Sequence, residues 1–185
     1  MGLLVLAVLF ILLVTLFVTE RSDATGKEDF HWLQLLGVLV AALGVFGSFV
    51  NQQRKNMVDT IRAYNDQFDR LLPKRTLVCG QLDKNDRATW EENGDSIDDI
   101  LNLFEEIALS VRIGALSFTL ADEHFSYYSV RYYRVASDRI KRLRTRDKRI
   151  YTMWEWFNNR LVESGDIGDS ALREFIREEA TEGVG

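Results

Sequence analysis

The sequence predicts an all-α protein: an N-terminal two-helix transmembrane hairpin followed by a cytosolic antiparallel helical bundle. Three observations predict it. Two long uncharged apolar runs fall within residues 1–50 of the 185-residue chain, apolar residues beyond them recur at helical rather than alternating spacing, and Pro73 is the only proline.

Gly2 to Val18 (GLLVLAVLFILLVTLFV) and Trp32 to Val50 (WLQLLGVLVAALGVFGSFV) carry no charge. Helices of these lengths rise about 25 to 29 Å, close to the ~30 Å hydrocarbon core of a bilayer. A cleaved signal peptide is the rival reading of the first run, but no Lys or Arg precedes it and no clean small-x-small cleavage site follows. The loop from Glu20 to His31 has Arg21 and Lys27 among four acids, whereas Arg54, Lys55, Arg62 and Arg70 follow the second run. The positive-inside bias therefore places both termini and the C-terminal domain in the cytosol. The lone Cys79 excludes an intramolecular disulfide and fits a reducing compartment.

Met57, Ile61, Tyr64, Phe68 and Leu71 continue the second span as a helical extension over 51–72. Residues 73–95 are polar and lack a sustained period, which predicts a loop. Residues 96–177 then read as the bundle. Ser96 with Asp99 is an acidic capping box, Ile97, Ile100, Leu101, Phe104, Ala108 and Val111 share a side, and Gly114 is an end signal. A helix from Thr119 to Arg144 buries Phe125, Tyr128, Tyr132, Ala136, Ile140 and Leu143; another runs from Asp147 to Val162. Ser170 caps a short last helix, and 178–185 reads as a flexible tail.

The runs DDILNLFEEIALSVRIGAL, YYSVRYY, the basic stretch after it and YTMWEWFNNRLV resemble a family of small bacterial membrane-anchored proteins described as a domain of unknown function, number 4760, over about residues 56 to 162. LFEEIALxVRxG is the most specific piece. The resemblance implies an anchor, in the inner membrane of a bacterium, plus a helical cytosolic domain, and carries over no catalytic residue.

Residues 127–149 hold nine Lys or Arg against two Asp in a chain of net charge −5. On a single helix Arg131, Arg134, Lys141 and Arg142 share an exposed face with Tyr127, and Arg144, Arg146, Lys148 and Arg149 continue it into the following turn. Three readings of this face stand open: neutralisation of the acidic segment 83–106, attraction to anionic lipid, or binding of a nucleotide or other phosphate-bearing ligand, with guanidinium forks on phosphate and Tyr rings on bases. Arg139 falls on the apolar side, where Glu105 is the expected partner in a structural ion pair.

In the second span Gln34, Gly37, Ala41, Gly44 and Ser48 form a stripe of small and polar residues, which predicts packing against a copy of itself in a homo-oligomer. No GxGxxG, P-loop, GxSxG or HExxH pattern occurs, so the sequence points to no enzyme, catalytic residue or cofactor. One cysteine and two histidines leave too few soft ligands for a structural zinc site. Two functions remain: a sensor or effector that transmits ligand binding to its membrane spans, a layout analogous to small phage-defence effectors, or a constitutive scaffold that tethers a cytosolic protein partner.

Overall fold

A computed structural model describes residues 28–84, 93–161 and 167–182, and among them every regular element is a helix. These are α1 (Glu28–Arg70), α2 (Leu72–Asp83), α3 (Gly94–Arg112), α4 (Phe118–Val135), α5 (Ser137–Arg144), α6 (Thr152–Asn158) and α7 (Asp169–Glu182). The chain divides into two compact units, Met1–Lys55 and Asn56–Gly185.

In the first unit the described residues belong to α1. This helix is long and apolar enough, near the N-terminus, to cross a membrane. Leu36, Leu39, Val40, Leu43, Val45 and Phe46 are all more than half exposed, as side chains that meet lipid rather than protein would be. The expected first span, 2–18, lies outside the described residues.

The second unit surrounds one core. Ile61 and Phe68 of α1 enter it. The helix then stops at Leu71, and Pro73 occupies the first turn of α2. A proline there loses nothing, because N–H groups of the first turn have no intrahelical partner. Pro73 thus restarts a helix where the sequence reading expected the loop 73–95. Arg75, Val78 and Cys79, at i, i+3 and i+4, are the buried face of α2. An arginine in that stripe hides the apolar period.

α3 buries Ile97, Ile100, Leu101, Leu103, Phe104, Ile107 and Ala108. It starts ahead of Ser96, and Gly114 ends it at φ +78, with Ala115 and Leu116 donating to the Ser110 carbonyl. The Ser117 hydroxyl accepts from Leu120 N–H and caps α4. The single helix expected over 119–144 is interrupted at Ala136, although the bonds Ala136 N–H to Tyr132 O and Ile140 N–H to Ala136 O persist across the break. α6 begins at Thr152 rather than Asp147, because Tyr151 is left-handed at φ 55. That conformation costs about 1–2 kcal/mol in a non-glycine residue. Arg144 offsets it by donating from Nε to Ile150 O at 2.9 Å and from Nη2 to Tyr151 O at 3.0 Å.

α7 packs chiefly on α2 and α6 on α3. The aromatic centre runs from Trp154, stacked on Phe104 at 5.2 Å, through Tyr132 to Phe175. The tail expected from residue 178 is instead the last turn of α7, with Glu179 only 3% exposed. A carboxylate that reads as solvated in sequence is internal because Arg75 receives it.

Candidate functional site

The residues expected to form one basic face are engaged at separate places on the domain. Tyr127 donates to Glu178 Oε2 at 3.2 Å, and Arg131 lies over the Tyr127 ring at 3.6 Å, so this pair sits against α7. Arg134 is exposed on α4. Lys141 pairs with Asp138 at 3.5 Å within α5, and Arg149 with Asp147 at 3.1 Å in the turn that follows. Lys148 is exposed. Arg144 points inward: besides bracing the 150–151 turn it pairs with Glu155 at 2.9 Å.

Arg142 and Arg146 meet elsewhere. With Arg139, Leu143 and Thr145 they line a cavity of about 510 Å³ on α5 and the turn after it. Its inner arginine is fixed: Arg139 Nε and Nη2 each reach a carboxylate oxygen of Asp98 at 2.9 Å, and Nη2 also approaches Gly94 O at 3.5 Å. A Cβ on Gly94 would lie 3.1 Å from that Nη2, so glycine at the start of α3 permits the approach. Asp98 therefore replaces Glu105 as the partner of Arg139. Glu105 caps α6 instead, accepting from Met153 N–H at 3.2 Å and Trp154 N–H at 2.7 Å. A helix N-terminus offers unpaired N–H groups and a positive dipole end, which suit a carboxylate as well as a guanidinium does. The Asp98 charge also acts on Tyr151: burial first, and then that carboxylate, push its hydroxyl up to about 12.

A second cluster is closed. Arg75 Nε and Nη2 donate to the two oxygens of Glu179 at 2.8 and 2.7 Å, Nη2 also to Glu182 at 3.0 Å, and Nη1 to Phe68 O at 3.4 Å. Its guanidinium lies 3.8 Å from the Phe68 ring centroid. Tyr132 donates to Glu179, and the Cys79 sulfur lies 3.9 Å from the Tyr132 oxygen. Burial works against the charge on Arg75, but the hydrogen bond and charge of Glu179 outweigh it and raise its pKa. Burial, reinforced by Glu179, pushes the Cys79 thiol up to about 12, and burial with Cys79 and Glu179 beside it carries Tyr132 well above the ordinary tyrosine range. Sequence reasoning missed this cluster; Arg75 four residues before Cys79 in a polar stretch was its only trace.

Among the described residues no three His, Cys, Asp or Glu side chains converge to hold a metal ion. In α1, Gly37 and Gly44 have open space where a Cβ would sit, and the Ser48 hydroxyl donates to Gly44 O at 2.9 Å; Gln34 and Ala41 lie on the same helix.

The family model described as Domain of unknown function (DUF4760) matches residues 31–161. The chain belongs to that family. No curated protein and no solved structure matches it significantly. The DUF4760 match includes the arginine cavity and Arg75, Cys79 and Tyr132, but not α7. Phe175 and Glu179, which complete the core, are thus supplied from outside the DUF4760 segment.

Proposed function

We propose that this DUF4760 protein is an oligomeric sensor or effector anchored in the bacterial inner membrane by a two-span hairpin, and that its cytosolic antiparallel bundle takes a phosphate-bearing ligand in the cavity of Arg139, Arg142 and Arg146. The observation that carries this reading is the cavity itself. Its volume of about 510 Å³ suits a small ligand, and its wall combines guanidinium groups with Leu143 and the Thr145 hydroxyl. Arg139, held by Asp98 through Nε and Nη2, fixes the wall, and guanidinium groups match phosphate geometry and stay charged at any cellular pH.

The small-residue stripe of α1 suits contact between copies, through which a change in the bundle would reach the membrane.

The test uses the full chain in detergent, titrated with ATP and with inorganic pyrophosphate at low and high salt. Binding is expected, weakening steeply with salt and lost in Arg142→Glu with Arg146→Glu, while the melting temperature stays the same. Failure of the unaltered protein to bind either probe at low salt would overturn the ligand reading and leave the constitutive scaffold.

A further inference from the structure

Between α5 and α6 the local sequence favours a structure other than the one observed. Ile150, Tyr151, Trp154, Phe157 and Leu161 keep helical spacing, which would let α6 begin near Asp147. It begins at Thr152 instead. In a continuous helix the Trp154 N–H would donate to the Ile150 carbonyl, four residues back. Both groups are taken by side chains of other elements. Glu105 of α3 accepts from Trp154 N–H at 2.7 Å, and Arg144 of α5 donates to Ile150 O at 2.9 Å. Arg144 also holds Tyr151 O at 3.0 Å and Glu155 at 2.9 Å. Tyr151, in the middle, is left-handed at φ 55 and ψ 31. A side chain on each half of a missing helical bond, beside a residue in a costly conformation, marks a joint with two arrangements.

Arg144 also belongs to the stretch that walls the cavity. Arg142, Leu143, Thr145 and Arg146 line it, while the Arg144 side chain reaches the other way, to the joint. The stretch is tied to itself: Thr145 Oγ1 donates to Arg142 O at 2.7 Å, and Arg146 N–H donates to Leu143 O at 3.0 Å. An anion gripped by Arg142 and Arg146 therefore fixes, from outside, the residue that holds Tyr151 from inside.

We infer that the 147–151 joint is the switch element of the arginine cavity: ligand binding favours the short α6 that Arg144 and Glu105 hold, at the expense of a form in which α6 starts near Asp147. The inference rests on the ligand reading above and names the element through which occupancy changes the bundle. By linkage, whatever disfavours the short form weakens the ligand. Arg144 is thus a positioning residue for a cavity it does not line.

The full chain in detergent is titrated with inorganic pyrophosphate at low salt as the unaltered protein, as Arg144→Lys, as Tyr151→Gly and as the double variant. Arg144→Lys keeps the charge but loses the fork. It should weaken binding by about 5- to 30-fold, the cost of a left-handed residue expressed as an equilibrium constant. Glycine takes that conformation freely, so in the Tyr151→Gly background the same change should matter little. An arginine with a merely structural role would weaken both backgrounds alike. That result, or equal affinity with and without Arg144→Lys, would overturn the joint alone. Glu155→Gln loosens the same guanidinium without removing it and should act in the same direction. If Arg144→Lys does not fold, unchanged affinity in Glu155→Gln would overturn the joint in its place. Failure of the unaltered chain to bind pyrophosphate would overturn the ligand reading and this inference with it.

Discussion

Arg75 and Arg139 each hold a carboxylate through two guanidinium nitrogens, yet their surroundings differ. Arg75 and Glu179 are 3% and 4% exposed at the side chain, with an aromatic ring against the guanidinium; Arg139 and Asp98 are 12% and 35% exposed beside a cavity with two further arginines. In the closed cluster the Arg75 nitrogens are committed to Glu179, Glu182 and the Phe68 carbonyl. In the open one the ion pair braces a wall of the cavity. The same chemical pair therefore serves cohesion in one region and a candidate binding surface in the other, and solvent access decides which.

The comparison breaks most visibly at Arg75. Arg75→Ala strands a buried carboxylate, and denaturant unfolding should show a loss of about 3–5 kcal/mol. Arg75→Met combined with Glu179→Met removes both charges and should recover most of that. If the double variant is no better than the single, the ion pair itself contributes stability beyond relieving its own desolvation.

The closed cluster should also give the domain an alkaline limit. Cys79 and Tyr132 have folded pKa values above their ordinary 9.0 and 10.0, so the native state keeps protons that the unfolded chain releases. Their contribution is fully present below about pH 9 and is lost as pH rises through the folded values. The urea midpoint should fall above pH 9, less steeply in Cys79→Ala with Tyr132→Phe. Equal slopes would assign the alkaline loss to other groups.

The smallest stability effect belongs to the open region. Arg139→Ala should cost about 1–2 kcal/mol, reduced by the solvent that reaches Asp98. It should weaken pyrophosphate binding less than loss of Arg142, because the Nε and Nη2 groups of Arg139 already donate to Asp98. Equal affinity before and after Arg139→Ala would place the ligand contact on the outer arginines.

Much of the fold was legible one helix at a time. The inward residues of α3 follow from their spacing, and Gly114 is where a left-handed residue must end that helix. Pro73 marked a true boundary, but the same residue opens a helix as readily as it closes one, so α2 was hidden. Of the residues lining the cavity, Arg142 and Arg146 belong to the expected basic face and Arg139 was expected in an ion pair, though with Glu105 rather than Asp98, whereas the inward role of Arg144 left no trace in the sequence. A helical wheel gives directions and not partners, and the carboxylates of Glu178 and Glu155 engage Tyr127 and Arg144 from other helices.

By itself the sequence determined most of the helical stretches, α2 excepted, and the inward apolar side of α3, because both follow from contacts within a turn or two of the chain. It also set apart an apolar stretch of α1 long enough to cross a membrane. Only the tertiary structure decided which charges go inside and with whom. Arg75 and Glu179 are 104 positions apart, Arg139 and Asp98 are 41, and Glu105 is 49 from the N–H group it caps on Trp154. Several acids were near enough in pattern to satisfy each arginine. The selection among them came from where the packed helices brought a carboxylate within hydrogen-bond distance.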